Sequence, residues 1–388
     1  MRYCTRCVYP ESCAHHLTFD ENGVCSGCRV QELAETIDWA EREQALSTLL
    51  DEYRTDGSEY DCIIPVSGGK DSYYQAHLMT KVYGLKALLV TFKPMSMLPE
   101  ALGNLERMKD CFDADHIVFE VNTDVLRKLH RLGMTRTGDP TWYYHCGIAT
   151  FPVQVAVKYK IPLIIWGEHG FTYRGGMFSL NDMAEMTAKY RLEHTQRGFD
   201  WSDFVEETEG LTERDLLWAT YPTDEELDTV GVRGIYINFF LPWEQYSHTK
   251  LMQELYGWEP ARQPFDRTYR MIGGLDDYHE IGIHDYMKFV KFGYGRCTDD
   301  ACLDIRSGHM TREQAVELVR KHDHVKPSDT QKWLDFVGWT EEQLDEAADA
   351  FRDSRVWRIE DGQWVKDDLW GGSSAYGPAR SAVGTTSA

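Results

Sequence analysis

Between residues 60 and 168, short apolar runs alternate with longer stretches that carry a single apolar stripe. YDCIIPV (60–66), LKALLVT (85–91), HIVFEV (116–121) and IPLIIWG (161–167) have the length and continuity of buried strands. After the first of these, Tyr74, Leu78, Met79, Val82 and Tyr83 recur at helical spacing, which predicts a helix over 71–83. Further helices are predicted at 99–112, near 123–132 and near 149–159. Strands alternating with helices predict βαβ units, hence an α/β fold with a doubly wound, mostly parallel sheet. IYINFFL (235–241) adds a later strand, and two capping boxes, Thr311 with Gln314 and Thr340 with Gln343, predict helix starts toward the C-terminus.

The polar remainder divides the chain. Residues 1–30 form a cysteine- and turn-rich head, 31–58 a helical connector and 59–245 the alternating α/β core. Residues 246–370 follow as a helical region for substrate or partners. Residues 200–230 interrupt the core with eleven acids and one base, a net of −10, and read as a solvated helical insertion. The Gly/Ser/Ala-rich stretch 371–388 reads as a disordered tail.

Composition narrows the function. With 388 residues, about two to three domains are expected. Lys plus Arg is 41 and Asp plus Glu is 63, so the net charge is 41 − 63 = −22. That balance argues against broad contacts with a nucleic-acid backbone and against docking on an anionic membrane. No apolar run reaches membrane-spanning length, and MRYCTRCVYPESC lacks the apolar segment of a signal peptide, so a cytoplasmic protein is expected. The charge is also uneven. Residues 200–230 and 338–368 carry −10 and −6, whereas 60–168 is +1, a near-neutral stretch able to accept polyanions.

Two motifs carry chemistry. Cys4-Thr-Arg-Cys7 and Cys25-Ser-Gly-Cys28 form two CxxC knuckles seventeen residues apart, a spacing that can close a tetrahedral thiolate site. Zn²⁺ is the expected ion, in a closed structural site; an iron–sulfur cluster is the alternative. The second motif, Ser67-Gly68-Gly69-Lys70-Asp71-Ser72, follows a strand and opens a helix. Consecutive glycines let backbone N–H groups converge on an anion, and the helix N-terminus adds a favourable field. Trp166-Gly167-Glu168-His169-Gly170 follows the fourth predicted strand, so both motifs belong at the carboxyl ends of the strands, where open parallel sheets bind ligands.

SGGKDS resembles the PP-loop of the ATP pyrophosphatase superfamily. The four-cysteine head, the stretch WYYHCGIATFPVQVAVKYKIPLIIWGEHG (142–170) and KFVKFGYGRCTDDACLDIRSGHMTREQAVELVRKHD (288–323) together resemble the N-acetyl sugar amidotransferases of bacterial surface-polysaccharide and nonulosonic-acid pathways. The resemblance implies a nucleotide site of Ser67, Gly68, Gly69, Lys70, Asp71 and Ser72, with Thr91 and Phe92 near the adenine and Gly167 beside them. It implies catalytic roles for Lys70, Asp71 and Glu168, with Mg²⁺ on Asp71 and Glu168. It also implies ATP as co-substrate and an acetamido sugar or sugar nucleotide as acceptor, converted to an acetamidino sugar with release of AMP and pyrophosphate. Ammonia would come from a separate glutaminase through a cyclase-like channelling subunit, because the chain has Arg2 where an N-terminal-nucleophile glutaminase needs cysteine. A homo-oligomer is compatible with these residues but not indicated by them.

Candidate acceptor-binding residues are His145, Cys146, His169, Lys288, Lys291 and Arg296. The last three lie in 262–296, a segment with six bases and five acids. Cys146 has three readings: a buried thiol, a pocket residue beside His145, or the nucleophile of a sulfurtransferase, the competing activity for the whole chain.

Overall fold

The computed structural model describes residues 1–205, 208–275 and 278–380, the side chain of Tyr278 excepted. Its centre is a five-stranded, wholly parallel sheet of β1 (Cys62–Pro65), β2 (Ala87–Phe92), β3 (Asp115–Phe119), β4 (Leu163–Trp166) and β5 (Arg233–Tyr236). The strands lie in the order β3-β2-β1-β4-β5. The chain therefore moves outward from β1 to β3, then returns across β1 to build β4 and β5 on the other side. The reversal leaves a crevice between β1 and β4 at their carboxyl ends.

Burial on both faces explains the apolar runs. Along β1, Ile63 and Ile64 are both fully buried but belong to different packing clusters, as period-two alternation requires. Ile64 packs with Leu89, Ile165 and Ile235 beneath α3 (Lys70–His77) and α4 (Pro99–Phe112), while Ile63 packs with Leu88 and Ile164 beneath α6 (Trp142–Tyr159). Each such side chain contributes about 1.5–3 kcal/mol on burial. α5 (Thr123–Thr137) precedes α6, and Asn122 caps it through Asp124 N–H. Ahead of the sheet lie α1 (Ser26–Ala34), which begins inside the cysteine head and runs into the connector, and α2 (Trp39–Glu52), within the connector predicted to be helical. Both C-terminal capping boxes form, at Thr311 and Thr340. No helix among the described residues is long and apolar enough to cross a membrane.

Three expectations change. The helix foreseen near 149–159 begins at Trp142, because Trp142, Tyr143 and Tyr144 are buried and only tertiary packing reveals that the aromatic run is helical. The acidic insertion is not simply solvated. Phe204 stacks on Trp142 with ring centroids 3.7 Å apart, and Leu211, Leu216 and Trp218 are buried against α6. Its acids serve partly as caps, with Asp203, Asp215 and Glu226 each closing a capping box; Glu206 and Glu207 lie outside the described residues. The tail expected to be disordered from 371 instead supplies β8 (Ser373–Pro378), paired with β7 (Gln363–Asp367), which in turn pairs with β6 (Arg358–Glu360). Tyr376 anchors it by packing edge-on against Phe289 and Trp357, a contact that local composition does not reveal; residues 381–388 lie outside the described ones.

Candidate active site and metal centre

β1 delivers Ser67 to the crevice. Gly68 follows with φ +81°, and a Cβ there would lie 2.9 Å from the Leu105 backbone nitrogen in α4, so glycine is required on two counts. The Gly68 carbonyl accepts a hydrogen bond from Trp258 Nε1 at 3.0 Å. Gly69 is the N-cap of α3, and its N–H points at Ser67 Oγ, 3.4 Å away. Ser67 N–H donates to Ser72 Oγ at 3.0 Å, and the two hydroxyls lie 3.3 Å apart. The turn is thus tied across its base. The buried Lys70 ammonium pairs with one Asp71 oxygen; the other, Oδ1, is buried without a hydrogen-bond partner.

Lys70 and Asp71 line a cavity of about 250 Å³ together with Glu168, Arg174, Arg270 and Arg296. The Glu168 carboxyl is pushed above its ordinary value by burial and, more weakly, by Asp71, against the opposing pull of Arg174. The orphaned Asp71 oxygen and the Glu168 carboxylate on one cavity wall are hard oxygen donors of the kind Mg²⁺ takes. Beside Glu168, a Cβ on Gly167 would meet Gln75 Oε1 at 3.0 Å, and Gln75 hydrogen-bonds the Ile165 carbonyl.

A second cavity of about 400 Å³ adjoins the first and shares Arg174, Ile281 and Arg296 with it. His145, Lys288, Lys291 and Arg296 all line it, drawn together from α6, the helix Tyr278–Phe292 and the helix Arg296–Arg306. Arg296 holds Asp285 through two nitrogens, and Lys288 pairs with Asp299. Burial lowers Lys291 to about 8 and His145 to about 4. Arg197 and His284 complete the rim; both bond Asp139, at 3.3 and 2.9 Å.

Of the turn after β1 only Lys70 and Asp71 line the first cavity; Ser67, Gly68, Gly69 and Ser72, like Gly167, line neither cavity. Four further sequence candidates lie elsewhere. Cys146 is on the buried side of α6, its Sγ 3.9 Å from the Ala219 carbonyl, and burial pushes its thiol up to about 12. His169 is buried among Phe178, Tyr190 and Tyr236, with Nδ1 on Thr172 Oγ1 at 2.7 Å. The Thr91 hydroxyl is used on the Val66 carbonyl at 2.6 Å, and Phe92 is packed under α6, where a Cβ on Gly147 would come within 2.3 Å of its ring. None of these four side chains lines either of the two cavities. Conversely, Arg174, Arg197 and His284 line the cavities without being expected there, while Arg270 comes from the base-rich segment 262–296. Arg174 was within reach of sequence reasoning, since it lies only eight residues after β4, at the ligand-binding edge of the sheet.

In the head, the sulfurs of Cys4, Cys7, Cys25 and Cys28 all lie within 4.8 Å of one another and all four residues are buried. Zn–S bonds of about 2.3 Å in a tetrahedron require sulfurs about 3.8 Å apart, and Cys7 and Cys25 are already 3.6 Å apart. The Cys7 and Cys25 backbone N–H groups point at Cys4 Sγ from 3.4 and 3.3 Å, a polar shell suited to thiolate. The donor set therefore fits a structural zinc.

A parallel α/β sheet with two loops converging on a charged crevice, a four-cysteine head and a helical C-terminal region define the class of molecule. Residues 263–368 match the family described as "LPS biosynthesis protein WbpG-like, C-terminal domain". No curated protein matches the chain significantly. Among solved structures, an NH3-dependent NAD synthetase from Campylobacter jejuni in complex with nitrate overlays at TM-score 0.30 and 13% identity, covering 50% of this chain and 92% of that one. An NMN synthetase from Francisella tularensis overlays at TM-score 0.30 and 12% identity, covering 59% and 99%. An NAD+ synthetase from Burkholderia pseudomallei gives TM-score 0.26 and 14% identity, covering 60% and 94%. Overlays this distant have no bearing on activity.

Proposed function

We propose that this chain is an ATP-dependent amidotransferase that adenylates the acetamido oxygen of an N-acetylated sugar or sugar nucleotide and replaces it with ammonia. The observation that carries the reading is the convergence of Lys70 and Asp71, from the turn after β1, and Glu168, from the loop after β4, on one cavity, which adjoins a second, cation-rich cavity and shares Arg174 and Arg296 with it. A nucleotide in the first and an anionic acceptor in the second would meet at those two guanidinium groups. The family match over 263–368 supports a place in lipopolysaccharide assembly, since that segment carries Arg267, Arg270, Lys288, Lys291 and Arg296.

The chemistry asked of the residues is modest. The acetamido oxygen attacks the α-phosphorus, pyrophosphate leaves, and the amide nitrogen gives up its proton. Ammonia then adds to the imidate carbon, and AMP departs with the former acetamido oxygen, leaving an amidine. Ser67, Gly68, Gly69 and Ser72 would hold the pyrophosphate end and Lys70 would offset its charge. Asp71 and Glu168 would hold Mg²⁺, which supplies further charge neutralisation. Catalysis here is positioning plus preorganised electrostatics, where one well-placed donor is worth about 10²–10³ in rate. Ammonia would come from a separate glutaminase and its channelling subunit. The chain would act in the cytoplasm, without nucleic acid or membrane.

The test offers ATP, Mg²⁺ and ammonium with a panel of acetamido sugars. Mass spectrometry should find the acceptor lighter by about 1 Da as O becomes NH, with AMP and pyrophosphate formed in step. Formation of ADP, or no acceptor-dependent AMP, refutes the reading. The sulfurtransferase alternative through Cys146 needs an accessible thiolate, whereas this thiol is buried and its pKa is raised. A product heavier by about 16 Da would restore it.

A further inference from the structure

The helix α7 (Gly170–Gly175) carries Arg174 and spans only six residues, too few to hold its own geometry in water. Its last carbonyls would be left without partners by the helix itself. The cysteine head, together with Arg306 at the end of the helix Arg296–Arg306, supplies those partners. Ser26, between the two ligands of the second knuckle, donates from Oγ to the Gly175 carbonyl at 2.6 Å. Arg306 donates from one nitrogen to the carbonyls of Tyr173 and Arg174 at 2.7 and 3.0 Å, and from the other to the sulfurs of Cys25 and Cys7 at 3.6 and 3.9 Å. A guanidinium at a helix C-terminus is also favoured by the helix dipole. The fit leaves no slack. A Cβ on Gly27 would lie 2.6 Å from the Arg174 carbonyl oxygen, and one on Gly176 would lie 2.5 Å from the Ser26 backbone.

What this contact orients is an arginine with capacity to spare. Arg174 lines both cavities, its Nε is buried without a hydrogen-bond partner, and its nearest ion pair, Asp299, is 4.0 Å away. Asp299 is in turn held by Tyr9 Oη at 2.8 Å, two residues beyond Cys7, and by Lys288. We propose that the four-cysteine head is a positioning element of the active site: through Arg306 and Ser26 it fixes the end of α7 and so holds the Arg174 guanidinium at the junction of the two cavities. The proposal rests on the reading of those cavities as nucleotide and acceptor sites. Its consequence is that occupancy of the metal site controls the geometry of the reacting groups as well as the stability of the head.

The test uses the full-length, zinc-loaded chain and three variants, Arg306→Gln, Ser26→Ala and Arg174→Gln, with metal content measured on each. Hydrogen exchange at the Gly176 and Met177 amides, which bond the Thr172 and Phe171 carbonyls, reports the end of α7 directly. In Arg306→Gln that exchange should speed up about tenfold or more with zinc retained and the β1 and β4 amides unchanged, the loss expected of charge-assisted hydrogen bonds. Acceptor-dependent pyrophosphate release should fall as in Arg174→Gln, through KM more than kcat, and the double variant should be no worse than Arg174→Gln alone. Unchanged exchange at α7, or losses that simply add in the double variant, overturn the proposal. If Arg306→Gln loses zinc or fails to fold, Ser26→Ala, which touches no sulfur, decides by the same measurements. If no acceptor is turned over at all, the function assigned above fails, while the exchange experiment still decides the coupling.

Discussion

Replacing Gly68 by alanine puts a methyl group where the turn after β1 meets α4. The residue has φ +81°, a conformation that costs an L-residue about 1–2 kcal/mol. The new Cβ would stand 2.9 Å from the Leu105 nitrogen and Cβ and 3.0 Å from its Cα. These are largely backbone atoms of a helix that itself packs on the core through Leu105, Met108 and Phe112, so rotamer changes cannot clear them. Overpacking of this kind costs about 1–3 kcal/mol, for a total of about 2–5 kcal/mol. Gly57→Ala is the control: φ is +89° but nothing lies within 4 Å, so only the backbone cost of about 1–2 kcal/mol applies. Urea-denaturation midpoints of both variants and the parent give the difference. Relief of strain by movement of the turn would misplace Ser67, Gly69 and Lys70, and a displacement near 1 Å should reduce acceptor-dependent pyrophosphate release about 10²-fold. A Gly68→Ala protein as stable as Gly57→Ala and fully active would refute the account of the loop.

Three further outcomes are expected. Purified chain should contain about one zinc, lost in the double variant Cys25→Ser, Cys28→Ser with a lowered thermal midpoint; metal analysis and calorimetry check both. Cys146→Ser should retain amidination, with stability lowered by about 1–3 kcal/mol because a hydroxyl replaces a buried thiol; loss of turnover in a folded variant would return Cys146 to the mechanism. Asp139, Asp285 and Asp299 are buried, which alone would raise their pKa values, yet His284, Arg296 with Arg267, and Lys288 with Arg174 respectively hold them below the ordinary carboxylate range. Their stabilising contribution is therefore complete above the unfolded value of about 4 and is lost as pH falls through the lowered folded values. Urea midpoints should drop steeply below about pH 4, and a midpoint flat between pH 5 and 3 would contradict these ion pairs.

The alternation of apolar runs and striped helices was legible in the sequence because a strand buried on both faces must be continuously apolar, as in Ile63-Ile64 and Leu88-Leu89-Val90. The Ser67–Ser72 turn and the four cysteines were legible for a similar reason: their chemistry is local, set by spacing along a few residues. The longer α6 and the partly buried acidic segment were not, because Trp142 and Phe204, 62 positions apart in sequence, find each other only in the fold. β8 was hidden by its small residues, which pair only because Tyr376 reaches Phe289 and Trp357.

The candidate site divides along the same line. Sequence by itself singled out a turn suited to phosphate and four cysteines spaced for zinc, and determined that the two loops share one edge of a parallel sheet. Only the tertiary structure decided that Lys288, Lys291, Arg296 and His145 share one cavity, that Cys146 and His169 do not line it, and that Arg174 stands where the two cavities meet. The physical reason is the range of the forces involved. A turn or a knuckle closes on itself within a few bonds, whereas the direction in which a side chain points depends on everything packed behind it, and for Arg174 that includes a cysteine head nearly 150 residues earlier in the chain.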